Sequence, residues 1–428
     1  MTTIIIFAIF LVLVIIGVPV AVALALGATI PLLLFTNITP AVIAQRFFTA
    51  SDQYSLMAIP FFIIAGGLLE KGGVSQRLVN LANAVLGWLP GGLAIVVFMS
   101  SALFGAISGS SVATVAAIGS IMLPYMLKEG YPRGFCLSTI ACAGYLGIII
   151  PPSIPMVLYG LAASASVGDM FLGGFIPGFM LAGGMGLYGV IYGIMHKDQL
   201  KSRPFSLKEV GHAVTDGVWA LFMPGIVLGG IYGGIFTPTE AAAVSCLYGL
   251  IIGIFVYKEL NLKKIIRILR GSVVTTAMIM FVVAAATAFA FVLTREMIPA
   301  KVAAFITGFC DTKVQFLILV TIFLFFVGMV MDTPPAILVL APLLTPVAKT
   351  YGIDPISFGL IMIINLGIGL VTPPVGLNLY VAAGLQKDSV GLILNRHLLI
   401  YMLCSLTVLI ILMAFPGIIT FIPDLAKR

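Results

Sequence analysis

Residues 4 to 35 contain no charged side chain, and only the Gly17-Val18-Pro19 step interrupts their apolar run. A single bilayer-spanning helix needs about 20 such residues. Several further stretches repeat the pattern. Hydrocarbon offers no water to pair with backbone amides, so apolar runs of this length must close their hydrogen bonds internally, as helices. Composition agrees, with 61% hydrophobic and only 9% charged residues, too little charge to cover a water-facing surface. The expected fold is an all-α polytopic membrane protein, and a soluble enzyme is excluded.

The start, Met1-Thr2-Thr3-Ile4, has no basic region and runs into apolar sequence without a small-residue cleavage site. It reads as a retained membrane helix. Five cysteines (Cys136, Cys142, Cys246, Cys310, Cys404) are scattered in apolar context without metal-ligand spacing and are expected to be buried thiols. The formal charge of +7 matters here through its placement, not as a sign of nucleic-acid binding. Basic residues cluster from His196 to Lys208, including Arg203, and from Lys258 to Arg270. Both clusters are expected in the cytoplasm, with an outward and a returning helix over residues 210 to 257 between them. The second reads either as an amphipathic interfacial helix or as a plain solvated loop.

Sliding the sequence on itself brings out a repeat at one fixed offset. Pro124 meets Pro346, Gly130 meets Gly352, Gly147 meets Gly369, and Pro151-Pro152 meets Pro373-Pro374 without a gap (346 − 124 = 374 − 152 = 222). Two structural repeats follow, over residues 1–205 and 206–428. Similarity alone does not distinguish parallel from inverted copies; the inverted kind, common in transporters, is the reading adopted.

Each half carries two apolar stretches broken by Gly, Pro and small hydroxyl residues. The first has Gly105-Ala106-Ile107-Ser108-Gly109-Ser110-Ser111 and Gly147 to Ser153; the second has Met329 to Pro335, containing Asp332-Thr333, and Gly369 to Gly376, containing Thr372. Proline lacks an amide proton and glycine tolerates left-handed backbone, so such sites unwind a helix and free its carbonyls. Freed carbonyls suit sodium, and half-helix amino ends suit carboxylates. Any one site also reads as a proline kink or a packing glycine; four in matched pairs favour a transport site. Ser108, Ser110 and Ser111 have the further option of bonding back to helix carbonyls.

Asp332 is a carboxylate at membrane depth, costing about 3 kcal/mol on insertion scales, and is expected to hold an ion. Arg295 offers a planar fork for a substrate carboxylate, or else snorkels to the interface or pairs with Glu296. Glu240, after Thr237-Pro238-Thr239, is either functional or a helix-capping residue. The three histidines lie near polar loops or helix edges, which argues against a proton relay.

The strings Gly233-Gly234-Ile235-Phe236-Thr237-Pro238-Thr239-Glu240-Ala241, Ile150-Pro151-Pro152-Ser153 and Val371-Thr372-Pro373-Pro374-Val375-Gly376 resemble the large membrane subunit of tripartite ATP-independent periplasmic (TRAP) transporters, and the resemblance covers essentially the whole chain. It implies sodium-coupled import of an organic acid across a bacterial inner membrane, with a periplasmic substrate-binding protein and a small membrane subunit as partners. It further implies an elevator-type fold with two re-entrant helical hairpins and two discontinuous helices. By position, one sodium ion would lie between the first tip (Ser108, Ser110, Ser111) and Gly147, another between Asp332, Thr333 and the second break at Gly369 and Thr372. Substrate would meet Arg295, Ser153, Pro152 and Gly376. The overall wording is closer to the sialic acid branch than to the C4-dicarboxylate branch.

Two other classes fit less well. An intramembrane serine protease needs a base, and no histidine lies in an apolar stretch. A channel or proton pump would want a chain of mid-helix ionisable groups. No P-loop is present for an ATP-driven pump.

Overall fold

Helix breakers in the sequence set the element boundaries. A computed structural model describes residues 2–35, 39–200 and 204–426, with no strand among the described residues. The long opening run divides into α1 (Thr2–Ile15) and α2 (Val20–Phe35) at Gly17, whose φ is +86°, and Pro19. There follow α3 (Pro40–Ser51), α4 (Ala58–Lys71) and α5 (Val74–Leu86). Then α6 (Gly92–Ser108) and α7 (Ser111–Lys128) meet at a tip, Gly109-Ser110. Next, α8 (Arg133–Gly144) tightens into a 3-10 turn, Tyr145–Ile148, and the chain resumes beyond Pro151-Pro152 as α9 (Ile154–Ala163) and α10 (Val167–Met195).

The second half opens with α11 (Leu207–Tyr232), α12 (Pro238–Ile251), a π-helical turn, α13 (Leu262–Arg295) and α14 (Ile298–Thr307). Then α15 (Lys313–Val330) and α16 (Thr333–Thr350) meet at Met331-Asp332, and α17 (Pro355–Gly369) and α18 (Leu377–Gly384) flank Pro373-Pro374. The chain closes with α19 (Arg396–Ala414) and α20 (Gly417–Ala426). The repeat offset recurs in these boundaries. The first residues of α7 and α16 are related by it (333 − 111 = 222), and each helix has 18 residues. The first residues of α8 and α17 are related in the same way (355 − 133 = 222).

Eight helical stretches among the described residues are long and apolar enough to cross a bilayer. The first basic cluster lies between α10 and α11; its Lys201 and Arg203 fall outside the described residues. The second corrects the solvated-loop alternative. From Leu262 onward it forms the first turns of α13, a 34-residue helix, because no proline interrupts residues 262–295. At 1.5 Å per residue α13 is about 51 Å long, against a hydrocarbon thickness of about 30 Å.

Close backbone approaches hold the tips against the breaks. A Cβ on Gly105 would lie 2.7 Å from Gly147 Cα, and one on Gly328 would lie 2.8 Å from Leu366 O and 3.1 Å from Gly369 Cα. Only glycine allows this packing. The two halves interlock: Tyr159 is fully buried, and its hydroxyl donates to Pro355 O at 2.8 Å and lies 3.1 Å from Thr345 Oγ1. Beside the start of α13, Arg77 on α5 pairs with Asp216 on α11 and with Glu259, and stacks over the Tyr257 ring at 3.7 Å. A guanidinium suits this mixture of fork and face. Cys136, Cys142 and Cys310 are buried as expected, whereas Cys246 and Cys404 are only half-buried, since α12 and α19 each turn a face outward.

Candidate functional site

A cavity of about 810 Å³ lies where both tips converge. The first tip contributes Ser108 to Ala113 and the second Asp332 to Pro335, opposed by one face of α4 and one face of α13. Glycines bring these walls together. A Cβ on Gly66 would stand 3.2 Å from Ser108 Cα, and one on its neighbour Gly67 would stand 2.9 Å from the Ile268 side chain. Thus α4 touches the first tip with one glycine and α13 with the next.

At the first tip the oxygens converge. Ser110 caps α7, its side chain accepting from Ala113 N at 3.4 Å. Its carbonyl accepts from the Thr114 hydroxyl at 2.7 Å, and Thr114 Oγ1 is 3.2 Å from Ser108 Oγ. Gly147 closes the cluster, since a Cβ there would lie 2.7 Å from Ser110 O and closer still to Thr114 Oγ1. Sequence reasoning missed Thr114; its signal was the i+4 spacing from Ser110, which puts its hydroxyl over that carbonyl. Ser111 turns away and donates to Asn378 Oδ1 at 2.9 Å, in the other half. Asn378 was also missed.

At the second tip Asp332 caps α16, accepting from Thr333 N at 2.7 Å, while its side chain is exposed to the cavity. Thr333 is 1% exposed, and its hydroxyl has no hydrogen-bond partner among the described residues. A buried hydroxyl left open is costly unless something else meets it. Behind this tip, Gly376 N donates to Met329 O at 3.3 Å; the amide at the equivalent position of the first half, Ile154 N, donates to Gly109 O at 3.4 Å, two residues away from the equivalent acceptor. Thr372 is more ordinary: its hydroxyl bonds back to Ile368 O at 2.9 Å, and its amide donates to Gly369 O.

The proposed substrate residues are not gathered at the cavity. Pro152 and Ser153 are buried behind the first tip, with Ser153 Oγ donating to Ile148 O at 2.6 Å, and Gly376, at φ +57°, belongs to the second break. None of the three lines the cavity. Arg295 lies exposed at the far end of α13, makes no ion pair with Glu296 among the described residues, and is also absent from the lining. The guanidinium that does line the cavity is Arg267. It lies much earlier on the same helix (295 − 267 = 28), about 42 Å away along the axis. Glu240 takes the capping alternative: its Oε2 accepts from Thr237 N and Oγ1 at 2.7 and 2.8 Å in a complete capping box. His397 is buried, with Nδ1 2.7 Å from the Tyr188 hydroxyl, away from the cavity.

A helical membrane protein in which two helix tips, each backed by a broken helix, meet at one cavity is a transporter in architecture. Its sequence says which kind: residues 7–418 match the family described as the tripartite ATP-independent periplasmic transporter, DctM component, and the chain belongs to that family. It is 42% identical over 402 residues to a C4-dicarboxylate large permease of Pseudomonas aeruginosa, covering 94% of this chain and 92% of that one. It is likewise 42% identical over 415 residues to an isethionate permease of Oleidesulfovibrio alaskensis, covering 97% of this chain but only 65% of that longer protein. A 2,3-diketo-L-gulonate large permease of Escherichia coli is 35% identical over 411 residues, covering 94% and 95%. Among solved structures the YdaH transporter of Alcanivorax borkumensis superposes with a TM-score of 0.62 over 88% of this chain and 87% of that one, at 16% identity. That likeness concerns the fold alone. The chain is therefore a multi-pass permease of the bacterial inner membrane and not an enzyme.

Proposed function

We propose that this chain is the large permease of a sodium-coupled importer of a small organic acid, working with a small membrane subunit and a periplasmic substrate-binding protein. One observation carries the sodium reading: the buried Thr333 hydroxyl without a partner among the described residues, next to the Asp332 carboxylate at a helix end. An alkali cation, carried here as cargo, would satisfy both oxygens. A second ion belongs at Ser108, Ser110 O, Thr114 and Gly147, where oxygens already crowd together. The two tips and their breaks are read as inverted repeats of a mobile elevator unit, supported by the recurrence of the repeat offset in helix boundaries.

The cavity rim holds Lys71, Lys264 and Arg267, from the end that the positive-inside rule assigns to the cytoplasm. The conformation is therefore read as inward-facing. Sialic acid is the substrate expected from the sequence. A C4-dicarboxylate is the second reading, favoured by relatives of Pseudomonas aeruginosa, Rhodobacter capsulatus and Vibrio cholerae named for that substrate. Proteoliposomes containing both membrane subunits, supplied with the binding protein and either radiolabelled sialic acid or succinate, test this. Uptake is expected only with an inward sodium gradient and binding protein; equal uptake in potassium removes the coupling.

A further inference from the structure

One cation in the cavity takes no part in holding ions at the tips. The face of α13 that lines the cavity runs from Lys264 through Arg267, Gly271 and Thr275 to Met278 and Val282, the i, i+3, i+4 recurrence of a single helix stripe. It is graded, with cations in its first turns, hydroxyls in the next and apolar side chains deepest. The cations differ in how they are engaged. Lys71 is paired with Glu70 at 2.6 Å, and Lys264 donates to Glu259 O at 2.7 Å. Arg267 is exposed and has no ion pair or hydrogen bond among the described residues.

The other arginines of this region are engaged or point elsewhere. Arg77 holds two carboxylates, and Arg270 is not part of the lining. Counting the rim gives three cations (Lys71, Lys264, Arg267) against Glu70, a net of +2. Asp332, the other carboxylate of the lining, sits at the tips. A guanidinium presents a planar fork for carboxylate or sulfonate oxygens, and in a walled cavity its field reaches further than on an open surface.

We propose that Arg267 is an exit station for the transported organic anion, engaging its carboxylate or sulfonate as it leaves the tips for the cytoplasm. This rests on the reading of the cavity as an inward-facing transport pathway. Lys264 adds charge one turn nearer the mouth, whereas the Thr275 hydroxyl two turns deeper is bonded back to Gly271 O at 3.2 Å, so an anion meets rising positive potential on its way out. Sodium ions leaving the tips meet the same charge as a barrier, so cation and anion are separated along the path.

The test uses a charge-bearing probe instead of an assumed substrate. Gly271 lines the cavity one turn from Arg267, and a Cβ there meets nothing within 4 Å, so Gly271→Cys is accommodated. The full chain with its small subunit, in phosphatidylcholine nanodiscs, is treated with anionic sulfonatoethyl or cationic trimethylammonioethyl methanethiosulfonate. Background from the native cysteines is subtracted using the parent protein. The anionic reagent is expected to react faster, and adding Arg267→Gln to lower the anionic-to-cationic rate ratio about fivefold, a change fitting the loss of one nearby charge; Arg267→Lys should restore most of it.

A ratio indifferent to Arg267→Gln overturns the exit station while leaving the pathway intact. A Gly271→Cys that reacts with neither reagent until denatured overturns the inward-facing reading and the station with it. An anionic phosphatidylglycerol bilayer lowers the ratio at any cysteine through its surface potential, but the drop caused by Arg267→Gln should be the same there as in phosphatidylcholine; its disappearance in phosphatidylglycerol would assign Arg267 to lipid headgroups and overturn the proposal.

Discussion

Thr333 and Thr114 are both buried hydroxyls near a tip, and they are satisfied differently. Thr114 donates to Ser110 O within its own helix, whereas Thr333 Oγ1 is buried with no partner among the described residues. Leaving a buried hydroxyl unmet costs about 1–3 kcal/mol. Thr333→Val, nearly isosteric, should therefore be at least as stable as the parent in potassium and lose the extra thermal stability that sodium confers. Melting curves in the two salts decide this; equal sodium stabilisation in the variant would remove Thr333 from the ion site. At this scale the sequence was partly legible. Asp332 stood out because a carboxylate in an apolar run has no cheap structural use. Thr114 did not, because a threonine in a membrane helix so often bonds to its own backbone. Arg295 attracted attention by its isolation, while Arg267 was concealed in a basic cluster that topology alone explains.

At the scale of elements, glycine contacts carry the geometry. Gly105 on α6 touches Gly147, and Gly328 on α15 touches Leu366 and Gly369, so each hairpin is pressed onto the broken helix beside it. Gly105→Ala and Gly328→Ala should each destabilise the protein by about 1–3 kcal/mol, the usual range for overpacking, and displace the tip oxygens with their breaks. Lowered melting temperatures together with weakened sodium stabilisation are the expected result, whereas a loss of stability alone would detach packing from ion binding. Both tips and both breaks were readable as Gly/Pro interruptions at a fixed offset, because breakers act locally on backbone conformation. The partners of those glycines were not, since a contact between Gly105 and Gly147 depends on tertiary packing. The continuity of α13 was also hidden: its charges resemble a loop, although no breaker separates them from the span.

Across the whole molecule, charge placement orients the chain. The start of α13 and the Arg77 cluster lie on the side assigned to the cytoplasm. Lys263→Cys, at an exposed position, should react with a membrane-impermeant maleimide in inside-out vesicles and not in right-side-out ones; the reverse pattern would invert the topology and place the cavity mouth outside. The all-helical, multi-pass fold followed from apolar length alone. Interlocking of the halves did not, because long-range partners such as Tyr159 with Thr345 leave no local pattern.

The hydrogen bond from Ser111 to Asn378 has a counterpart only in position. Ser111 and Thr333 are equivalent under the repeat, each the first residue of its helix; one hydroxyl is tied to the opposite half and the other has no partner among the described residues. Met156, which carries no amide side chain, is the repeat equivalent of Asn378 (378 − 156 = 222). Equivalent positions have thus become a joint in one copy and an open oxygen in the other. A chain made by duplicating either half would carry two joints or two open oxygens, and neither product could substitute for the present one of each.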